Sequence, residues 1–507
     1  MRKLNIISLL VISLIANITA CSQISNSGKQ QLATKVDSFA NKILERIPGI
    51  PGMAIAIVDE NGPFFIKGYG WANKEAGIKA DENTLYYIAS CTKSFMGLTA
   101  ALLDREKKIL LDSSFKKYLA GIHFKNEIGD NVSNRNLLTH TSGLENNPLV
   151  FRMAFSGAIE KNEILNLLGN ATVAKKPFGV FDYDNLGYNI YGLELQEHLH
   201  LKWQDLLQEK IFIPLGMKHT TAYMSVAEKN KWTIAAPYDA FQEKGLTKLS
   251  LTKKDNTMQS AGGMVSTAAD LSKWLQAQIN LGKINNKQVF PAEVVKAAQT
   301  GSADYEKQSY PFTSGGKYAL GWNVSNYQNE NIIYHFGGYP GFKAHTSFMP
   351  GKKIGLIILT NEASIGAAAG DILAAYIYDR VVGVAGAEEQ LSKMIGELES
   401  RYSKNLESVQ KSFADRAKRT SQLTLPLDSY VGKYHHDLLG DIDVNIENNA
   451  LAVSFGNLHV VSTPYTQKET IRVELIPGQG KVVSFKPDDQ NKINILTYDN
   501  NEYKKVK

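Results

Sequence analysis

The tetrapeptide Ser90-Cys91-Thr92-Lys93 places a lysine three residues after a serine, at the start of an apolar run that ends at Leu103. If this run is helical, the serine and lysine side chains lie on one face, where the amine can contact the hydroxyl. Burial would favour the neutral amine, and a neutral lysine can take the proton of an attacking serine. Ser90 is therefore a candidate nucleophile and Lys93 its candidate base.

The Ser-x-x-Lys spacing is weak on its own, because it also begins at five other serines. These are Ser113, Ser114, Ser250, Ser314 and Ser408. Only Ser90 follows a strand-like segment and precedes an apolar helical pattern. Cys91 is a nucleophile by residue type, but one helical step turns it about 100° away from Ser90 and does not place Lys93 alongside it. We interpret Cys91 as a packing residue.

Tyr183-Asp184-Asn185 is the second candidate motif. Its phenol could relay a proton, and its carboxamide could donate to a substrate carbonyl and accept from a lysine. The Tyr-x-Asn pattern recurs at Tyr327 and Tyr498, but only the first copy is followed closely by a helical pattern. We predict that Tyr183 transfers protons and that Asn185 orients the substrate.

The tetrapeptide His335-Phe336-Gly337-Gly338 ends a predicted strand and contains the only His-x-Gly of the chain. Glycines at this place would let a substrate lie against the strand edge. The amide of Gly338 could join the amide of Ser90 in an oxyanion hole. We predict that His335, Gly337 and Gly338 contact substrate, and the alternative for His335 is a structural histidine.

Taken together and in this order, the three motifs resemble those of the serine beta-lactamase-related family, which includes class C beta-lactamases, D-Ala-D-Ala carboxypeptidases, D-aminopeptidases and esterases. Further family-like segments extend the resemblance over about residues 31–383. They are Asn136 to Leu144, Pro214 to Met217, Ala261 to Leu271, and Gly321-Trp322. The resemblance implies an antiparallel sheet flanked by helices, an all-helical subdomain, and a site in the cleft between them. It also implies acyl transfer through Ser90, with Lys93 and Tyr183 sharing the base and acid work.

The third motif departs from part of the family. Class C beta-lactamases and classical carboxypeptidases carry Lys-Thr-Gly there, whereas this chain has His335, which argues against beta-lactamase activity. A histidine is only partly charged at neutral pH, so we expect its hold on a carboxylate to depend on pH. An envelope lipoprotein, which the N-terminus predicts, would have peptidoglycan stem peptides within reach, and this favours a D-amino-acid peptidase or carboxypeptidase acting on small peptides. The alternatives are a carboxylesterase acting on small esters and a catalytically vestigial, penicillin-recognition-like binding protein.

Strand patterns stand at the two ends of one long segment, with helical patterns between them. An early hairpin covers 53–58 and 64–72, and strand-like runs return at 332–336, 346–349 and 354–359. This order predicts an antiparallel sheet assembled from both ends around an inserted helical region. The fold class is therefore α+β.

The C-terminal part of the chain changes character twice. Residues 384–425 carry apolar side chains every three or four positions, which predicts a helical connector after the catalytic domain at 31–383. Residues 426–507 consist of short alternating runs separated by turn residues, which predicts a small all-β domain.

The N-terminus predicts export and lipidation. Arg2 and Lys3 precede an apolar run that ends in small residues before Cys21, as in a bacterial lipoprotein signal over 1–20. Cys21 would carry the lipid and residues 21–30 would form a polar tether. We then expect a lipid-anchored protein of the bacterial cell envelope, on the periplasmic side of the outer membrane in a Gram-negative cell. The alternative is a plain secretory signal.

Charge and cysteine content exclude several functional classes. The 507 residues carry 56 lysine or arginine and 50 aspartate or glutamate side chains, a formal charge of +6, which gives no support for a nucleic-acid partner. Two cysteines are too few for a disulfide framework or a structural zinc site. The expected chemistry needs neither a metal nor a cofactor. The sequence does not predict an oligomeric state.

Overall fold

The computed structural model describes residues 24–306 and 310–506. An antiparallel sheet of nine strands is drawn from both ends of the catalytic region, which confirms the predicted α+β class. In spatial order its strands are Ala303–Tyr305, Gly316–Tyr318, Asn323–Tyr327, Glu330–Tyr339, Phe342–Met349, Ile354–Thr360, Gly52–Asp59, Gly62–Asn73 and Ile78–Lys79. The early hairpin thus pairs with the last of the late strands.

The two middle strands, Gly52–Asp59 and Ile354–Thr360, are buried on both faces. Their side chains alternate between two apolar cores, so that Ala56 contributes to one core and its neighbour Ile57 to the other. Both strands therefore read as continuous apolar runs in the sequence.

Helices cover both faces of this sheet. One face packs against Asn26–Arg46, Ile365–Val382 and Ala387–Ala417. The other face packs against Ala268–Ile279 and against Thr92–Arg105, which we call the nucleophile helix.

The predicted helical subdomain has an apolar core of its own. Its helices and its short 3₁₀ and π-helical turns are Phe115–Tyr118, Asn134–Leu138, Asn147–Phe151, Arg152–Ser156, Lys161–Ala171 and Leu186–His198. The last helix contributes Ile190 to this core and Tyr191 to the larger core beside the sheet. It therefore joins the subdomain to the rest of the catalytic region.

Short elements connect these layers. The further helical segments are Ala89–Cys91, Trp203–Leu207, Gln208–Phe212, Ile213–Leu215, Met224–Lys229, Asp255–Thr257, Ala292–Ala298 and Leu427–Ser429. The short strands pair as Tyr86–Tyr87 with Val265–Ser266, Leu144–Glu145 with Val173–Ala174, Tyr238–Gln242 with Gly245–Lys248, and Lys283–Ile284 with Lys287–Gln288. The first of these pairs holds the segment that leads into Ser90.

The N-terminal helix begins earlier than the sequence predicts. The sequence predicts a polar tether over 21–30, but the last five residues of this segment are the first turns of Asn26–Arg46. Ser25 caps this helix by accepting the Gly28 amide at 3.1 Å. Lys29 then forms an ion pair with Asp59 at the end of a sheet strand, which draws the segment onto the domain. Cys21 and the predicted signal lie outside the described residues.

The predicted connector is a single helix of 31 residues, Ala387–Ala417. Its first half buries Leu391, Ile395, Leu398 and Tyr402 against the same core as helix Ile365–Val382. This half is therefore an outer layer of the catalytic domain, and only the second half serves as a link.

The C-terminal domain is all-β, as predicted, and its single antiparallel sheet of nine strands nearly closes into a barrel. In spatial order the strands are Leu458–Val461, Ala450–Phe455, Gly440–Glu447, Gly432–His436, Asn501–Lys505, Ile493–Tyr498, Lys481–Pro487, Thr470–Val473 and Thr463–Pro464. Among the described residues, no helix has the length and apolar character needed to cross a membrane.

Candidate active site

Ser90 lies in a single 3₁₀ turn, Ala89–Cys91, that precedes the nucleophile helix. Ala89 has a φ of +44°, a left-handed conformation that a non-glycine residue rarely adopts. Such backbone strain persists only where the surroundings impose it, and it is concentrated at functional sites. Here it turns Ser90 into a large cleft with a volume of about 1370 Å³.

Lys93 is fully buried, and its amine has three neighbours. Nζ lies 3.1 Å from Ser90 Oγ, 2.8 Å from Asn185 Oδ1 and 2.7 Å from the Ala261 carbonyl oxygen. A neutral amine has two hydrogens and one lone pair. If the hydrogens go to the two carbonyl-type oxygens, which can only accept, the lone pair faces the Ser90 hydroxyl. Burial lowers the pKa of Lys93 to about 7, so this neutral form is populated near neutrality.

The orientation of Asn185 follows from its contact with Lys93. Its Oδ1 accepts from the amine, which leaves the two hydrogens of Nδ2 to donate elsewhere. Tyr183 lies beside Ser90. Its side chain is 44% exposed to the cleft, but desolvation of the hydroxyl raises the pKa of this phenol, so the hydroxyl keeps its proton at neutral pH. Ser90, Lys93, Tyr183 and Asn185, which the sequence analysis assigns to one site, therefore meet at one point of the cleft.

His140 supports Tyr183 from behind. Its carbonyl accepts the Asp182 amide at 2.8 Å, and its Nδ1 accepts the Asp184 amide at 3.3 Å. The imidazole and phenol ring centres are 4.5 Å apart. Burial is the main cause that holds the pKa of His140 well below its usual value, so Nδ1 stays unprotonated and able to accept. The sequence placed His140 in a family-like segment but did not connect it with Tyr183.

The Ala261 carbonyl is a site group that sequence reasoning missed. Its position depends on Asn189, which is fully buried in helix Leu186–His198. Asn189 accepts the Ala261 amide at 3.3 Å and donates to Gln259 Oε1 at 2.7 Å. One helix therefore positions both Asn185 and the Ala261 carbonyl around Lys93. The signal in the sequence that could have indicated this contact is Asn189, a polar residue in a largely apolar helical pattern.

The strand Glu330–Tyr339, which we call the cleft strand, forms the wall opposite Tyr183. Its neighbour Asn323–Tyr327 pairs with it only as far as Tyr334, so the last five residues have an unpaired edge. A Cβ on Gly337 would lie 1.9 Å from the Ile88 carbonyl oxygen and 3.2 Å from the Ser90 nitrogen, so only glycine fits there. At Gly338 a Cβ would meet no atom within 4 Å. This placement fits the predicted pairing of the Ser90 and Gly338 amides.

His335 differs from the expectation of a partly charged group. It lines the cleft, but it is only 2% exposed and both ring nitrogens have partners. Nδ1 donates to the Phe336 carbonyl at 2.8 Å, which leaves Nε2 to accept from the Tyr318 hydroxyl at 3.0 Å. Burial and the nearby Lys93 charge lower the pKa of His335 to about 3. The expected pH-dependent grip on a carboxylate is therefore wrong, because the imidazole is neutral.

Cys91 is buried, as expected of a packing residue. Its Sγ lies 3.3 Å from the His335 carbonyl oxygen, and burial raises the pKa of the thiol to about 12. A thiol without access or thiolate character is not a nucleophile.

The arrangement supports acyl transfer: a serine beside a neutral lysine, a phenol, an amide donor and a candidate oxyanion hole. Within 24–306 and 310–506 no group of three or more histidine, cysteine or acidic side chains is placed to hold a metal ion.

The chain matches the family model described as Beta-lactamase over residues 40–377. Protein flp of Staphylococcus aureus (strain MW2) is 26% identical over 345 residues, which are 67% of this chain and 64% of that protein. The chain thus spans less than two thirds of the length of this relative. Unguisins hydrolase ungD of Aspergillus violaceofuscus is 24% identical over 455 residues, 85% of this chain and 79% of that protein.

Solved structures share the fold. The octameric penicillin-binding protein homologue from Pyrococcus abyssi has a TM-score of 0.59 at 22% identity, covering 93% of this chain and 99% of that chain. The D-amino acid amidase from Ochrobactrum anthropi SV3 has a TM-score of 0.57 at 20% identity, covering 70% and 99%. A class C beta-lactamase has a TM-score of 0.56 at 20% identity, covering 72% and 99%. The family model covers more than half of the sequence and the site has the expected serine and lysine at its centre, so this chain belongs to the beta-lactamase family.

Proposed function

We propose that this chain is a serine hydrolase that cleaves amide bonds through an acyl-enzyme on Ser90, and that its substrates are small D-aminoacyl amides. The observation that carries the proposal is the environment of Lys93. Two oxygen acceptors take its hydrogens in the neutral form, and the lone pair is left for the proton of Ser90.

In the first half-reaction, Ser90 Oγ bonds to the substrate carbonyl carbon while its proton passes to Lys93 Nζ. The negative oxygen of the tetrahedral intermediate is held by the Ser90 and Gly338 amides. Collapse breaks the C–N bond, and the leaving amine takes a proton from Tyr183, which Lys93 resupplies. Water then attacks the acyl carbon and gives a proton to Lys93. The bond between that carbon and Ser90 Oγ breaks, the acid product leaves, and Lys93 returns the proton to Oγ.

The charge of the cleft bears on which substrate class is favoured. A carboxypeptidase must hold a substrate carboxylate, and His335 is neutral and already bonded through both ring nitrogens. A substrate that needs no cation at this place, such as a D-aminoacyl amide, fits better. The fold likeness to the D-amino acid amidase agrees with this choice.

An activity profile tests the substrate class. We expect the purified protein to hydrolyse a D-alanine p-nitroanilide faster than its L enantiomer, and to leave a D-Ala-D-Ala peptide and a chromogenic cephalosporin uncleaved. Ser90→Ala is the matched control for background hydrolysis. Turnover of a short p-nitrophenyl ester without any amide turnover would contradict the proposal and favour a carboxylesterase.

We further propose that the chain is a lipoprotein of the bacterial cell envelope, anchored through Cys21. The support is the sequence alone: a charged start, an apolar run and small residues before the cysteine. In a bacterial host the full chain should partition into the detergent phase of a phase separation, and Cys21→Ala should move to the aqueous phase. A Cys21→Ala chain that still partitions into detergent would refute the anchor.

A further inference from the structure

Lys253 is a second buried lysine, and the proposed reaction does not use it. It is 6% exposed, and its Nζ donates to the carbonyl oxygens of Ala154 and, at 3.1 Å, Thr257. In the described part of the chain no carboxylate lies within ion-pair distance of it. Burial lowers the pKa of Lys253 to about 7. Burying an ammonium group without a counter-ion costs free energy, so other contacts must stabilise Lys253 at this position.

Aromatic rings surround this amine. Nζ lies 4.3 Å from the ring centre of Tyr339, 5.4 Å from that of Tyr87 and 5.7 Å from that of Phe155. The Phe155 and Tyr339 rings are stacked, with centres 5.8 Å apart. The three rings and the lysine form one cluster, which we call the Lys253 cage. Cation–π attraction of this kind replaces part of the lost hydration.

The Lys253 cage contacts both sides of the oxyanion site. Tyr339 is the last residue of the cleft strand, directly after Gly338, and Tyr87 precedes Ser90 by three residues. The Tyr87 and Tyr339 ring centres are 4.9 Å apart. Because side chains alternate along a strand, Tyr339 lies on the same face as Gly337, which itself contacts the turn before Ser90. Two contacts thus fix the spacing between the Ser90 and Gly338 amides: that of Gly337 with the turn before Ser90, and that of Tyr339 with Tyr87 in the Lys253 cage.

The C-terminal β domain supports the cage from outside. Phe155 and Ala154 belong to the π-helical turn Arg152–Ser156. The amide of Asn457, in a hairpin of the β domain, donates to the Ser156 carbonyl at 2.7 Å. A Cβ on the preceding Gly456 would lie 2.2 Å from the same oxygen. The β domain is therefore in close contact with the turn that carries two groups of the cage.

We propose that Lys253 is a positioning residue for the oxyanion hole and that the C-terminal β domain, by holding the turn Arg152–Ser156, keeps the Lys253 cage in place. This inference rests on the proposed serine-hydrolase function. The β domain would then contribute to catalysis. Removing its contact with the turn Arg152–Ser156 should slow bond formation at Ser90 and leave the affinity for substrate nearly unchanged. Misalignment of an oxyanion donor lowers the rate of the chemical step, whereas binding of the rest of the substrate is unaffected.

The test compares Lys253→Met with Lys244→Met, which alters an exposed lysine in a turn. In the full-length protein, kcat for amide hydrolysis should fall about ten-fold in Lys253→Met, with KM changed by less than about two-fold. Lys244→Met should match the wild type. Labelling by a fluorophosphonate should go to completion in both variants, which would show that the fold is intact. It should be slower in Lys253→Met.

Gly456→Val tests the contribution of the β domain without touching the cage. Gly456 has a φ of +58° and no room for a side chain, so valine should push the hairpin away from Ser156. Its kcat should also fall with KM kept, and the double variant with Lys253→Met should be little slower than either single one. Unchanged kcat in Lys253→Met, a loss confined to KM, or a Gly456→Val variant with normal kcat would overturn the inference. A wild-type chain that is not labelled at all would instead overturn the serine-hydrolase proposal.

Discussion

In the proposed reaction, the Lys93 amine determines at which pH the site is active, because its protonation state decides whether it can accept the Ser90 proton. When charged, it donates to Ser90, Asn185 and Ala261 and has no lone pair. When neutral, it can donate to the two oxygens that only accept and take a proton from the third. The same three contacts are therefore compatible with both the charged form of Lys93 and the neutral form that accepts the proton.

A pH profile follows from this. Because the pKa of Lys93 is lowered to about 7, the active neutral form is lost as pH falls through that value. We expect kcat/KM to rise from pH 5 and level off above about pH 8, with a midpoint near 7. Lys93→Arg, which stays charged, should lose at least about a hundred-fold at every pH up to 9. Constant wild-type activity down to pH 5 would contradict a lysine base.

His335 should not contribute a titration step to the pH profile of kcat/KM. The pKa of its imidazole is lowered to about 3, so the ring does not change charge between pH 5 and 8. We expect His335→Gln to reduce kcat while the midpoint near pH 7 remains. The comparison is the kcat/KM profile of the two proteins on one neutral substrate. A wild-type step near the ordinary histidine value of about 6.5, missing in His335→Gln, would show that the ring titrates.

At the scale of elements, the contact between the cleft strand and the turn Ala89–Cys91 is the critical packing. Gly337 and Gly338 are adjacent, but only Gly337 has no space for a Cβ. Gly337→Ala must therefore displace the strand and should lower the free energy of unfolding by about 1–3 kcal/mol. Gly338→Ala places its methyl in the cleft and should leave that free energy within about 0.5 kcal/mol of the wild type. Urea unfolding measures both, and equal losses would refute the close approach at Gly337.

Elements and motifs differ in how far the sequence predicts them. The hairpin at 53–72 and the three motif segments were predictable, because alternation and local spacing determine them. The Ala261 carbonyl and the Lys253 cage were not, since their partners lie about 70 to 170 residues away in the chain. The neutral state of His335 was also missed, because it depends on burial and on the distant Tyr318 hydroxyl. Helix Asn26–Arg46 starts earlier than predicted because Ser25 caps it and Lys29 forms an ion pair with Asp59, on a strand that is distant in the sequence.

At the scale of the molecule, the β domain is joined to the catalytic domain through Arg152. This side chain is 3% exposed, and it donates to Glu163 at 2.6 Å, to the Ala158 carbonyl at 2.5 Å and to the Leu438 carbonyl of the β domain at 3.3 Å. Nearby, the Phe151 and Phe455 ring centres are 5.3 Å apart. Because the buried guanidinium has carbonyl partners on both domains, we expect the two domains to unfold cooperatively.

We expect Arg152→Met to separate the unfolding of the two domains. The substitution leaves two carbonyl oxygens without their donor, a cost of about 3 kcal/mol. Calorimetry should then resolve two transitions where the wild type has one. Arg105→Met, which removes an exposed guanidinium from an ion pair with Glu293, should retain the single transition. A single, unshifted transition in Arg152→Met would contradict this role.

Acylation of Ser90 is measured by intact-protein mass spectrometry after reaction with a fluorophosphonate. We expect one adduct per chain, mapped by peptide sequencing to Ser90, absent in Ser90→Ala and retained in Cys91→Ala. Labelling should slow as pH falls through about 7, the pKa to which Lys93 is lowered. An adduct that persists in Ser90→Ala, or one that maps to any other residue, would show that Ser90 is not the nucleophile.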